Sequence, residues 1–111
     1  MACLFCEIAA HQSPADIVYE DDDLAVFRDV HPHAPIHLLI VPKEHIESVN
    51  ALNEQNAGIL GKMALTAKRM AELQGIESGY RLLINTGVAG GQVVFHLHMH
   101  LMGGWTRRTG N

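Results

Sequence analysis

The feature that most constrains the fold is a run in which every second residue is a histidine, HLHMHLM from His96 to Met102. Because successive side chains of a β-strand point to opposite faces, this spacing predicts a strand with three imidazoles on one face and apolar side chains on the other. The apolar face indicates a buried core. The histidine face indicates a site of binding or reaction, and a merely solvated strand face is the alternative.

Two kinds of chemistry suit three aligned histidines. Neutral imidazoles can ligate a catalytic zinc ion that keeps an open position for water. Alternatively, an imidazole with a pKa of about 6.5 is largely neutral at pH 7, so one ring nitrogen can attack an electrophile while the other holds its proton against an acceptor. Alternate residues of a strand lie about 6.5–7 Å apart, which strains convergence on one metal ion. The spacing favours nucleophilic catalysis by the middle histidine.

Length and charge limit the class of protein. The chain has 111 residues, 48% of them hydrophobic, which predicts one domain over residues 1–111 with a modest core. The net charge of −4 argues against an extended nucleic-acid binder. No apolar run approaches the roughly 18 residues of a membrane span, and the N-terminus does not resemble a signal peptide. We therefore expect a cytoplasmic protein without membrane or nucleic-acid partners.

The apolar pattern predicts an α+β fold. A short helix or turn is expected over residues 4–11, and a long helix is expected from an N-cap at Asn53 to a stop at Gly75. The core face of the long helix is expected to carry Leu60, Met63, Ala64, Ala67, Met70 and Ala71. Strands are expected at Ile17–Glu20, Leu24–Asp29, His37–Val41, Tyr80–Asn85 and Val93–Leu101.

A glycine-rich segment precedes the histidine run. Gly90 and Gly91 allow the backbone to approach an anion closely, and successive N–H groups there can form an anion-binding nest. A plain hairpin turn is the alternative. The neighbouring histidines favour phosphate binding.

Two segments resemble the histidine triad family. Residues 96–102 match its His-h-His-h-His-h-h motif, where h is an apolar residue, and residues 27–43 (FRDVHPHAPIHLLIVPK) are similar to its nucleotide-binding segment. The glycine pairs at 90–91 and 103–104 resemble the branch of histidine triad nucleotide-binding proteins. The resemblance extends from about Cys3 to Trp105. It implies a histidine triad fold, with an antiparallel sheet of about five strands, one long helix and a short N-terminal helix.

The resemblance implies a hydrolase that cleaves nucleoside 5′-phosphoramidates, with purine nucleotides such as AMP conjugates as substrates and no organic cofactor. His98 would attack the α-phosphorus and form a nucleotidyl-histidine intermediate, which water hydrolyses to a nucleoside monophosphate. The backbone carbonyl of His96 would hold the second ring nitrogen of His98. His100 and His37 would hydrogen-bond the phosphate and the leaving group. A nucleotide-binding regulatory module with incidental hydrolysis and a three-histidine zinc hydrolase are the alternatives.

The resemblance also implies a set of nucleotide-binding residues. Asp29 suits the ribose hydroxyls, which a carboxylate accepts, and Phe27 and Val30 offer apolar walls for a purine. The other contacts that the resemblance implies involve Asn85, Gly91, Gln92, Val93, His98 and His100. Some relatives have a polar side chain at the position of Val93, so the preferred leaving group is left open.

A second group of candidate site residues comprises Cys3, Cys6 and two histidines. A Cys-x-x-Cys pair alone is weak evidence, and free thiols or a redox pair are alternatives. Several relatives with this pattern bind a structural zinc ion through a closed tetrahedral Cys₂His₂ set. The resemblance therefore implies structural Zn²⁺ at Cys3, Cys6, His45 and His96. The remaining histidines, His11, His31 and His33, are expected to be surface or loop residues.

The resemblance implies a homodimer, paired through the long helix and a strand of the sheet. A chain of 111 residues gains by burying further apolar surface in this way. The tail Thr106–Asn111 is expected to reach towards the active site of the partner.

Overall fold

The computed structural model describes residues 3–106, so the tail from residue 107 onward lies outside the described residues. The helices are α1 (Leu4–Ala9) and α2 (Gly58–Leu73), and short 3₁₀ turns occur at Val49–Ala51 and Val88–Gly90. The strands are β1 (Ile17–Glu20), β2 (Leu24–Arg28), β3 (Ile36–Pro42), β4 (Tyr80–Leu83) and β5 (Met99–Gly103). Within residues 3–106, no helix has both the length and the apolar character needed to cross a membrane.

The five strands form one antiparallel sheet in the order β1-β2-β3-β5-β4. β3 is the central strand, and it pairs with β2 from Leu38 to Pro42 and with β5 from Ile36 to Ile40. Its apolar run Leu38–Val41 is buried, as an unbroken run of this kind requires when both faces of a strand are covered. The predicted α+β architecture, with one long and one short helix, is confirmed.

The two faces of the sheet are covered differently. On one face α2 packs its buried residues Met63, Ala67, Met70 and Ala71 into the main core, which confirms the predicted core face of this helix. On the other face α1 contributes Phe5 and Ile8 to a smaller cluster with residues of β2 and β3. The site described below lies on the side of the smaller cluster.

The long helix begins later than predicted. Asn53 was expected as its N-cap, but the helix starts at Gly58 and ends at Leu73. The side-chain oxygen of Asn53 instead accepts the N–H groups of Gln55 and Asn56, at 2.9 and 3.1 Å. Such local side-chain bonds stabilise a turn in competition with helix. The predicted stop at Gly75, whose φ is +72°, is confirmed.

The predicted strand Val93–Leu101 is wrong in its bounds, because the regular strand is Met99–Gly103. The backbone carbonyl of Pro42, at the end of β3, lies 2.7 Å from the His96 ring, and the Leu97 N–H donates to the Ile46 carbonyl. These bonds replace ladder pairing. The alternation of faces nevertheless persists, since Leu97, Met99 and Leu101 all lie in the main core.

The neighbouring strand β4 also ends early, at Leu83 instead of Asn85. Its last pair with β5 joins Leu83 and His100. Asn85 therefore lies in the connection between β4 and the glycine-rich loop, outside the sheet.

Candidate active site

The middle histidine of the run has one ring nitrogen tied to the backbone. Nδ1 of His98 lies 2.7 Å from the carbonyl oxygen of His96. A carbonyl can only accept, so Nδ1 carries the proton and Nε2 carries the lone pair of the neutral ring. His98 is 5% exposed, and this burial lowers the pKa of the ring below its usual value because the imidazolium loses solvation. A neutral ring with a fixed tautomer is the form that a nucleophile requires.

A chain of hydrogen bonds fixes the tautomers of His37 and His100. The backbone N–H of His33 donates to Nδ1 of His37 at 2.9 Å, so the neutral His37 ring carries its proton on Nε2. This Nε2–H donates to Nδ1 of His100 at 2.8 Å. A carboxylate oxygen of Asp29 lies 3.4 Å from the same Nε2. His100 consequently carries its own proton on Nε2.

The Nε2–H of His100 has no acceptor among residues 3–106. Within the described residues, it is the buried side-chain polar atom that lacks a partner. Burial, together with the neighbouring His98 and His37, lowers the pKa of His100 to about 4, so the ring is neutral at pH 7. A buried donor without a partner destabilises a fold by about 1–3 kcal/mol. A ligand oxygen that accepts this proton removes that penalty.

The histidines line one half of a surface cleft, which we call the polar half. This half has a volume of about 520 Å³. His37, His98 and His100 contribute their rings, while Asn85 and Gly91 also line it. None of the described residues that line this half is lysine or arginine. Such a site suits one small phosphate held by neutral donors rather than a polyphosphate chain.

The other half of the cleft is apolar and has a volume of about 420 Å³. Phe27 of β2 and Val30, which the family resemblance assigns to the purine, line it. Leu4, Phe5 and Ile8 of α1 also line it. The residues that line both halves are Asp29, His31, Val93, His98 and His100. The Asp29 carboxylate accepts the His31 N–H at 2.8 Å, which fixes it at the junction.

The glycine loop between β4 and β5 uses its own N–H groups. The N–H groups of Gly90 and Gly91 donate to the carbonyls of Gly87 and Val88, at 3.1 and 3.0 Å. These two groups therefore do not form the anion nest that the sequence suggested. Gly91 has a φ of +91°, a conformation that favours glycine. Within residues 3–106, nothing accepts the N–H of Val93, whose exposed fraction is 85%.

Gln92 holds this loop in place. It is 3% exposed, and its side-chain oxygen accepts the Gly87 N–H at 2.9 Å. Its side-chain nitrogen donates to the carbonyls of Glu47 and Val94, at 2.8 and 3.1 Å. The polar atoms of the side chain are thus used inside the protein, and Gln92 is not among the residues that line either half of the cleft.

The first histidine of the run belongs to a different cluster. Nε2 of His96 donates to the Pro42 carbonyl at 2.7 Å, so Nδ1 of the neutral ring carries the lone pair. Nδ1 lies 3.3 Å from Sγ of Cys3, 3.4 Å from Sγ of Cys6 and 3.2 Å from Nδ1 of His45. The four predicted metal ligands are therefore brought together.

This cluster fits a zinc ion. Bond lengths of about 2.0–2.1 Å to nitrogen and 2.3 Å to sulfur place tetrahedral ligands about 3.3–3.8 Å apart, close to the separations found for His96. The second nitrogen of His96 is held by a carbonyl, as is usual for a metal ligand. Burial, with Cys3 alongside, raises the pKa of the Cys6 thiol to about 11. A bound cation is what deprotonates such a thiol.

The structure argues against a metal centre built from the three histidines of the run. Two groups within the described residues can hold a metal ion. One is the Cys-His cluster, which includes His96, and the other comprises Asp29, His37 and His100. Neither group contains His98, whose Nδ1 is committed to a carbonyl.

Sequence reasoning missed several residues of the site. His31 and His33 are exposed loop residues, as predicted, but both also line the cleft. His33 acts through its backbone N–H, so no side-chain pattern could have identified it. The apolar side of α1 could have been found, because Leu4, Phe5 and Ile8 follow a helical spacing.

Comparison of the sequence with known proteins gives matches over most of the chain. Residues 2–109 match the family model described as "Scavenger mRNA decapping enzyme C-term binding". Protein HitA of Neisseria gonorrhoeae is 48% identical over 101 residues, which cover 91% of this chain and 94% of that protein. The purine nucleoside phosphoramidase of Escherichia coli K12 is 47% identical over 102 residues, which cover 91% of this chain and 86% of the enzyme.

Solved structures are also similar. A HIT family hydrolase from Legionella pneumophila is 43% identical, with a TM-score of 0.92 over 98% of both chains. A Zn-bound histidine triad family protein from Mycobacterium smegmatis is 29% identical, with a TM-score of 0.81 over 100% of this chain and 78% of that one. The family model, the near-full-length relatives and the shared fold together establish that this chain belongs to the histidine triad (HIT) family and is a hydrolase.

Proposed function

We propose that this hydrolase cleaves nucleoside 5′-phosphoramidates and related AMP conjugates through a covalent nucleotidyl intermediate on His98. The observation that carries the proposal is the 2.7 Å hydrogen bond between His98 Nδ1 and the His96 carbonyl, because it leaves Nε2 as a neutral nucleophile. The similarity to the purine nucleoside phosphoramidase of Escherichia coli supports this substrate class.

In the first step, Nε2 of His98 forms a bond to the α-phosphorus while the bond from phosphorus to the amine nitrogen breaks. The departing nitrogen takes up one proton. His100 is suited to hydrogen-bond the phosphoryl group, since its Nε2–H is buried and without a partner. The amine takes this proton from water in the open cleft, because the His37 N–H occupies the lone pair of His100 Nδ1 and the His100 Nε2–H stays on the phosphoryl oxygen.

In the second step, water attacks the phosphorus and the bond to His98 Nε2 breaks. The products are a nucleoside monophosphate and the regenerated neutral ring, and the proton released from water returns to solvent. Phosphoryl charge in both steps is stabilised by neutral N–H donors, because the polar half of the cleft has no lysine or arginine among the described residues. We assign the Val93 N–H and the Asn85 side chain to this task, together with His100.

The apolar half of the cleft is assigned to the purine, between Phe27, Val30 and the apolar side of α1. Asp29, at the junction of the two halves, is assigned to the ribose hydroxyls. His37 acts through its hydrogen bond to His100. Gly91 and Gln92 act by shaping the loop that carries the Val93 N–H.

We propose a structural zinc ion in the Cys-His cluster. Cys3, Cys6, His45 and His96 would hold it, and the ion would cross-link α1 to the sheet. The Zn-bound relative from Mycobacterium smegmatis supports a metal in this fold. The site is a closed set of four ligands and has no open position for substrate.

The homodimer remains a prediction. Leu65 and Leu73 on α2 are 69% and 72% exposed, and the edge strand β4 exposes Leu82 and Leu83. These apolar residues lie on the two elements that the family resemblance assigns to the interface.

A panel of nucleotide substrates tests the proposed activity. Adenosine and guanosine 5′-phosphoramidates with different amines would be compared with a dinucleoside polyphosphate, and release of the nucleoside monophosphate would be followed by chromatography. We expect the phosphoramidates to be cleaved faster. No hydrolysis of any phosphoramidate, or a preference for the polyphosphate, contradicts the proposal.

A further inference from the structure

We propose that the metal site controls nucleotide affinity through α1, so that zinc and nucleotide bind cooperatively. The inference rests on the proposed function, because it assigns the apolar half of the cleft to the nucleobase. It is based on the position of α1. This short helix, with its N-cap, supplies two metal ligands on one side and forms a wall of the cleft on the other.

The position of α1 depends on its contacts with the rest of the protein. The helix has six residues, and a helix of this length is not stable by itself in water. Cys3 caps its N-terminus, where Sγ accepts the Cys6 N–H at 3.4 Å. Within the described residues, the side-chain polar contacts that join α1 and its cap to the rest of the protein are those of the two cysteines with His45 and His96.

The same helix forms part of the nucleotide cleft. Phe5 lies between the two cysteines in sequence and is 5% exposed. Its ring contacts the His98 ring edge-on, with centroids 5.0 Å apart, and contacts Phe27 at 5.4 Å. Leu4 and Ile8 line the same apolar half. A shift of α1 therefore alters the base-binding wall, whereas the hydrogen bond between His98 and the His96 carbonyl does not involve the helix.

Cross-linking explains the expected cooperativity. A metal ion that joins Cys3 and Cys6 to His45 and His96 restricts α1 before nucleotide arrives. The nucleotide then loses less conformational entropy on ordering the wall that it contacts. Linkage requires the reverse effect, so a bound nucleotide must raise zinc affinity by the same factor. The hydrolytic step itself uses atoms outside α1, so coupling is expected in affinity and not in kcat.

Two titrations test the coupling. AMP affinity would be measured by calorimetry for the zinc-loaded and the metal-free protein. Zinc affinity would be measured by competition with a chromophoric chelator, with and without saturating AMP. We expect both affinities to rise by the same factor, at least about fivefold. Circular dichroism checks that the metal-free protein stays folded. If it unfolds, the inference is overturned, because the two ligands are then coupled by folding of the whole chain and not by α1.

Two variants locate the coupling in α1. Leu4→Ala keeps all four ligands and removes an exposed part of the wall, so we expect zinc to bind and the coupling factor to fall towards one. Glu54→Ala, a change at an exposed position outside the cleft lining, the metal cluster and the predicted dimer interface, is expected to keep the full factor. Zinc and AMP affinities that are independent of each other, or a chain that binds no zinc, overturn the inference. Failure of AMP to bind either form overturns the proposed function as well.

Discussion

Two histidine clusters arise from one run of sequence and differ in what surrounds them. His96 has its free nitrogen among two thiols and a third ligand, whereas His98 and His100 face a cleft that is open to solvent. In each ring the other nitrogen is engaged by a carbonyl or an imidazole. The partner of that second nitrogen fixes the tautomer, and the tautomer decides whether the remaining nitrogen is a donor, a ligand or a nucleophile.

Neighbouring histidines of one motif are therefore assigned to separate tasks. In our proposal the metal cluster stabilises the position of α1, and the cleft carries the chemistry. His96 belongs to both regions, because its ring lies in the metal cluster while its carbonyl holds His98. Substitutions in the metal cluster and substitutions in the cleft should therefore have different consequences.

Loss of the nucleophile is expected to have the largest effect. His98→Ala removes the only nitrogen assigned to covalent attack, so kcat should fall by about 10³-fold or more. Nucleotide affinity should survive, because Asp29 and the apolar walls are unchanged. Steady-state kinetics and AMP titration measure the two quantities. His45→Ala is the control from the metal cluster, and it should retain kcat. A near-normal kcat in His98→Ala would contradict the assignment of catalysis to the cleft.

Loss of the buried Nε2–H donor of His100 is expected to have a smaller effect. His100→Asn should lower kcat by about 10²-fold, because one preorganised donor to the phosphoryl group is removed. His37 is assigned to act through His100, so the double variant His37→Asn/His100→Asn should be no slower than His100→Asn alone. Fully additive losses in kcat would show that His37 acts independently.

Loss of the thiol ligands is expected to affect stability and not chemistry. The variant Cys3→Ser/Cys6→Ser should lose bound zinc and unfold at a Tm lower by roughly 5–10 °C, which corresponds to about 1–2 kcal/mol for a chain of this size. Its KM should rise while kcat stays within about twofold. Metal analysis, calorimetry and kinetics measure these effects. A metal whose removal stops turnover without lowering Tm would contradict the structural assignment.

The buried rings predict a loss of stability in mild acid. The folded protein protonates His100 only near pH 4, whereas an unfolded chain protonates the ring below about pH 6.5. The unfolded state therefore binds more protons between these values, so the free energy of unfolding should fall as the pH falls from about 6.5 to about 4. The lowered pKa values of His37 and His98 act in the same direction.

Urea unfolding at several pH values measures this loss. One group contributes at most about 1.4 kcal/mol per pH unit, and less where solvent reaches the ring. His100→Asn should show a shallower decline than the unaltered protein, and the difference between them cancels any release of metal. Equal slopes for the two proteins would contradict the account of His100.

Much of the fold followed from local pattern. The alternation of the histidine run and the 3.6-residue period of α2 identify core residues directly, because apolar burial decides which face turns inward. The ends of the strands could not be predicted from the local pattern. The His96 ring donates a hydrogen bond to the Pro42 carbonyl, and the Leu97 N–H donates to the Ile46 carbonyl. Neither of these long-range hydrogen bonds leaves a signal in the sequence.

The site was predictable where side chains act and not where the backbone acts. The Cys-His cluster and the central histidines were recognisable from residue type and from the family resemblance. The His33 N–H that fixes the His37 tautomer, and the internal bonds that use the N–H groups of Gly90 and Gly91, depend on loop geometry. The apolar side of α1 was visible in the sequence, but nothing there linked it to the cleft.

The most direct test of the account is the search for a covalent intermediate on His98. The protein would be mixed with an adenosine 5′-phosphoramidate under single-turnover conditions, quenched within milliseconds, digested and examined by mass spectrometry. We expect an adenylyl adduct on His98 that forms before AMP is released and decays with the rate of AMP release. AMP formation without an adduct, or an adduct on His96 or His100 instead, would contradict it.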